Sequence, residues 1–216
     1  MNGRGTAVDR QTAGEEAANS IIHGLGVLLS IAATVILLVL SAKKGSAVHT
    51  VSFSIYGSML ILLYLMSVMS HALPPGSGKR FFELMDFSAV YLLIAGTYMP
   101  IALIFLKGAW GWAIFGVSWG LALAGIIFKV FFLGRFDRAA TVVYIIMGWL
   151  IVIAAQRVLE TMPLGFIFWL ILGGVSYTAG TLFYLNHKIR WHHPIWHVFV
   201  LAGSTCHFLG FLFYAF

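Results

Sequence analysis

Seven apolar runs, each about the length of a membrane-crossing helix, take up most of this chain. A bilayer core about 30 Å thick needs roughly 20 helical residues at 1.5 Å each. Runs of that length lie at about 18–41, 49–72, 84–106, 109–132, 139–157, 164–186 and 193–215. The breaks between them are polar or turn-forming: "SAKKGS", "LPPGSGKR", Lys107–Gly108, "GRFDR", "QRVLETMP" and "NHKIRWHH". Hydrocarbon offers no partner for a bare peptide group, so such runs must satisfy their backbone internally, as helices. Only 9% of the residues are charged and 61% are hydrophobic, far from soluble composition. The expected fold is an all-α membrane protein, a seven-transmembrane-helix bundle over 18–216 after a short segment, 1–17.

Seven crossings put the two ends of the chain on opposite sides. Lys and Arg gather on the cytoplasmic side, and alternate breaks divide them unequally. Arg4, Arg10, Lys79, Arg80, Lys129, Arg135, Arg138, Lys188 and Arg190 fall on one side; Lys43, Lys44, Lys107 and Arg157 fall on the other. The richer side predicts a cytoplasmic N-terminus and an outside C-terminus. The +6 formal charge is then loop charge, and no basic run suggests nucleic acid. A lone Cys206 makes no internal disulfide. The first apolar run lacks a small-residue cleavage pattern and is expected to remain as a span.

This topology collects polar residues at one depth. His71 closes the second run, Asp86 opens the third, and His193 and His197 open the seventh, all from the cytoplasmic side. Ser67 and His71 are four apart, as are His193 and His197, so each pair shares a helix face. Pro194 suits a first helical position, which predicts His193 as the N-cap. Three imidazoles suit zinc better than calcium or magnesium, which take oxygen ligands. Three protein ligands leave one tetrahedral position for water, the pattern of a catalytic zinc site. Asp86 is then placed to accept and return a proton, and Ser67 to orient water or donate to a developing oxyanion. The plainer alternative makes Asp86 a first-turn acid or cap.

The other polar residues carry plainer expectations. His207, about 15 Å beyond His197 along a helix, is expected to hydrogen-bond another helix. His187 and His192 are expected to be solvated, with His192 a rival to His193 as ligand. Lys129 is expected to snorkel from a span end. In "EEAANSIIHG", Glu16, Asn19, Ser20 and His23 share one face and read as capping and packing.

Several of these pieces, taken together, carry a resemblance. Glu16-x-x-Asn19-x-x-x-His23, Ser67-x-x-x-His71, "DFSAVYLLIAGTYMP" from Asp86, and His193-x-x-x-His197 followed by His207 occur in that order. So arranged, the chain resembles the hemolysin III family, the bacterial branch of the progestin and adipoQ receptor family. That group is related to the alkaline ceramidases. The resemblance implies zinc held by His71, His193 and His197, with Asp86 and Ser67 beside the metal-bound water. It also implies seven spans with a cytoplasmic N-terminus.

Three functions compete. One is a zinc-dependent hydrolase acting on an amide or ester of a membrane lipid that enters sideways. Another is a homeostasis or sensing protein braced by structural zinc, with Asp86 as fourth ligand. The third is a cytolytic pore or transporter. It is disfavoured because the span interiors hold no acid besides Asp86, whereas ion pathways need ionisable groups at depth.

Overall fold

The computed structural model describes residues 11–216; the start of the expected 1–17 segment lies outside them. The described residues are helical throughout, with no strand. The helices are α1 (Ala13–Lys44), α2 (Ala47–Ala72), α3 (Ser77–Pro100), α4 (Gly108–Phe132), α5 (Asp137–Gly148), α6 (Ala155–Thr161), α7 (Leu164–Tyr184) and α8 (His192–Tyr214). α5 and α6 are one span, giving seven helices long and apolar enough to cross a membrane. Large apolar side chains such as Leu28, Phe131, Leu164 and Leu182 cover the outside, as lipid solvation requires. This is the expected seven-span bundle.

α3 is its centre: 78% of its apolar window is buried, against 22–44% for the others. α1 packs on α2 and α8, α2 on α3, and α7 on α8. At one end, Phe105 and Phe166 stack at 4.0 Å, and Phe211 lies against Phe53 and Phe166 at 5.5 and 5.7 Å. These rings close that end of the bundle.

Two spans leave regular α-geometry, each for an identifiable reason. Pro100 has no N–H to give the helix, and the chain widens into a π-turn over Ile101–Leu106, closed by Lys107 N–H on the Ala102 carbonyl at 2.9 Å. α4 then starts so close that a Cβ on Gly111 would lie 2.3 Å from the Ala102 carbonyl oxygen. The fifth span tightens into a 3₁₀ turn at Leu150–Ala154. There the Tyr98 hydroxyl donates to the Gly148 carbonyl (2.9 Å) and accepts from Ile151 N–H (3.1 Å). A side chain that takes over ladder partners in this way breaks the helix locally.

Lys129 departs from expectation. It is 1% exposed, with its ammonium 2.7 Å from Asp137 and 4.4 Å above the Phe87 ring. The ends of α4 and α5 fold together there, so the charge finds a partner inside and need not reach the headgroups.

Candidate metal centre

The ends of α1, α2, α3 and α8 that carry the polar motifs come together at the end of the bundle opposite the aromatic plug. α1 begins with a capping box in which Thr12 and Glu15 satisfy each other's backbone N–H groups. That engages Glu15 and leaves Glu16 to face its neighbours. Its carboxylate accepts from His71 Nδ1 at 2.6 Å and from Lys79 Nζ at 2.8 Å. One acidic side chain thus ties α1 to α2 and α3.

α8 begins two positions earlier than expected. Trp191, in the left-handed region at φ 62°, is the N-cap, so His193 is the second helical residue and Pro194 the third. The first four helical N–H groups have no intrahelical acceptor, so proline's missing N–H costs no bond at that position. Trp191 N–H donates to Glu15 at 3.2 Å, fastening the start of α8 to α1. His193 and His197 remain one turn apart on a shared face. His192, expected in solvent, is buried, because the helix already includes it; His187 is exposed.

His71, His193 and His197 offer ligand nitrogens all within 4.8 Å of one another. Nε2 of His71 and Nε2 of His197 are 3.2 Å apart. A tetrahedral zinc with bonds of about 2.0–2.1 Å sets two nitrogens roughly 3.3–3.4 Å apart, so this pair is close to the spacing needed. The tautomers also fit. His71 carries its proton on Nδ1, toward Glu16, which leaves Nε2 a lone pair. Nδ1 of His197 meets Nε2 of His23, so the same assignment suits His197. A carboxylate behind a ligating histidine is a usual means of fixing ring orientation, and Glu16 stands in that position behind His71. This cluster can hold a metal ion.

Ser67 and Asp86 flank the cluster. Asp86 sits in the third turn of α3, because that helix begins at Ser77. That is too far along for a cap or helix-dipole role, which fades after the first turn. Its Oδ2 accepts from Ser70 at 3.2 Å. Ser67 is fully buried one turn before His71, and its hydroxyl faces the Asp86 carboxylate.

A cavity of about 350 Å³ leads away from the cluster. His23, Asp86, His193 and His197 line its head, and from there its wall is mostly apolar. Along α3 the lining runs from Asp86 to Ile101, about 22 Å at helical rise. Val152, Leu159 and Ile171 line the cavity and are also 57%, 67% and 48% exposed. The cavity therefore opens sideways between the fifth span and α7, toward lipid.

Glu16 and His23 are the contributors that the sequence reading set aside as capping and packing. Glu16→Gln keeps an acceptor for His71 but loses the charge shared with Lys79. Affinity for a divalent metal ion, measured by competition with a chromogenic chelator, is expected to fall about tenfold, the lower range for such supporting groups. Unchanged affinity would remove Glu16 from any role at the centre.

Fold and cluster define the class: a seven-helix integral membrane protein with three histidines able to hold a metal at one end of the bundle. A family profile described as "Haemolysin-III related" matches residues 11–208. Hemolysin-3 from Bacillus cereus is 46% identical over 200 residues, 93% of this chain and 91% of that protein. A hemolysin-3 homolog from Bacillus subtilis strain 168 is 48% identical, covering 93% and 94%. The human monocyte to macrophage differentiation factor is 24% identical over 216 residues, covering 96% and 88%. The chain belongs to the hemolysin III family, and its distant relatives fit the progestin and adipoQ receptor family.

Proposed function

We propose that this protein is a zinc-dependent hydrolase of an amide or ester bond in a membrane lipid. The supporting observation is continuity: the residues able to hold a metal stand at the head of an apolar cavity open to the bilayer. Three imidazoles suit zinc better than calcium or magnesium, and when bound zinc supplies Lewis acidity and an activated water at neutral pH. His71, His193 and His197 hold it, and Glu16 and His23 orient two of those rings. The apolar wall takes the acyl chain and keeps water from it. Asp86, its carboxylate steadied by Ser70, takes up a proton and returns it to the leaving group. Ser67 donates to the oxygen on which charge develops. With the N-terminus cytoplasmic, as the Lys and Arg distribution indicates, the site lies at the cytoplasmic rim of a bacterial inner membrane.

The aromatic plug weighs against a pore, since Phe105, Phe166 and Phe211 fill the end of the bundle through which ions would have to leave. The reading is tested with purified, zinc-loaded protein in vesicles containing a panel of N-acyl and O-acyl lipids. Free fatty acid is expected from at least one class, halted by a strong chelator and restored by zinc. No release across the panel would leave the brace or sensor reading in its place.

A further inference from the structure

About 15 Å along α8 from His197, the cavity wall turns polar again, at Tyr177 and His207. Glycines seat both rings across the α7–α8 contact. A Cβ on Gly173 would lie 2.3 Å from His207, and one on Gly203 would lie 2.8 Å from Tyr177. The two rings are 5.6 Å apart.

The hydroxyl protons here can be counted. Tyr64 donates to Ser204 Oγ at 2.8 Å, and Ser204 Oγ lies 2.7 Å from the Tyr177 hydroxyl. Three hydroxyls bring three protons to two bonds, so one is surplus. On Ser204, which is 4% exposed and absent from the cavity wall, that proton would meet no further acceptor among the described residues. Leaving a buried donor unmatched is costly. Ser204 therefore donates to Tyr177, and the surplus O–H belongs to Tyr177, on the wall. His207 donates through Nε2 to the Leu170 carbonyl at 3.3 Å, which leaves Nδ1 as an acceptor. One donor and one acceptor thus stand together on the cavity wall, beside threonines whose hydroxyls are spent on their own helices.

From this pairing we infer a second binding subsite, for a hydroxyl group carried mid-chain on the lipid's acyl group. A hydroxyl is the smallest neutral oxygen substituent that both accepts, from Tyr177, and donates, to His207. The inference rests on the lipid reading of the cavity, because the acyl chain carries the hydroxyl to this depth.

The test uses the purified zinc-loaded protein in nanodiscs, with empty nanodiscs correcting for partition. Displacement of tritiated stearic acid is measured for stearic acid, a mid-chain hydroxystearic acid, and the isomer hydroxylated beside the carboxyl. The mid-chain acid is expected to bind about tenfold more tightly than the other two, the effect of one or two hydrogen bonds in a dry site. Tyr177→Phe should bring the three affinities together. Stearic acid bound with no preference for the mid-chain acid overturns the subsite alone and leaves a node that serves packing or a water. A preference that survives Tyr177→Phe also overturns it. Failure of all three acids to bind removes the lipid reading and the subsite with it.

Discussion

Replacing His71, His193 or His197 singly with alanine is expected to take purified protein from one bound zinc per chain to essentially none. Three nitrogens are the minimum for a tight tetrahedral site completed by solvent, and among the described residues these three histidines are the ones whose ligand atoms converge. His23 already faces His197 and backs that ring from the far side. His49→Ala is the matched control. That imidazole bonds the Ala215 carbonyl at 3.0 Å, at the opposite end of the bundle, and zinc should stay. Elemental analysis of the four variants decides the matter. Metal retained in any of the three would mean that the nitrogens converge for another reason.

Asp86→Asn separates chemistry from architecture. Asparagine keeps the size of the side chain and an acceptor for Ser70, so the helices and the metal should survive. It cannot take up a proton, and hydrolysis of the best lipid found in the panel is expected to drop by about 10²–10⁴-fold, the usual reach of general acid–base catalysis. If zinc content falls along with turnover, Asp86 is a direct ligand. The site then resembles a structural one with four protein ligands. Turnover that persists with zinc in place would take Asp86 out of the reaction.

The spans were readable because lipid imposes one rule on each of them: about twenty apolar residues between polar breaks. The histidine pairs were readable because a four-residue spacing has a fixed meaning on a helix, whatever surrounds it. Glu16 was not. It stands beside Glu15 in a first turn, where acids ordinarily cap, and Glu15 does just that; only the tertiary placement of α2 turns its neighbour toward His71. Lys129 misled for a similar reason. Its escape to the headgroups is the default for an isolated helix, and its partner Asp137 lies across a turn whose path no periodicity records. The 3₁₀ turn at Leu150–Ala154 has no local signal either, since Tyr98, the side chain that takes over its ladder partners, belongs to a different span.

The sideways mouth bounded by Val152, Leu159 and Ile171 has a kinetic consequence. A molecule arriving through it is already dissolved in the membrane, so its encounter rate depends on its mole fraction among neighbouring lipids. Diluting vesicles in buffer should leave the rate per protein untouched, whereas diluting the reactant with inert phospholipid should lower it in proportion. Saturation is then properly expressed in mole per cent.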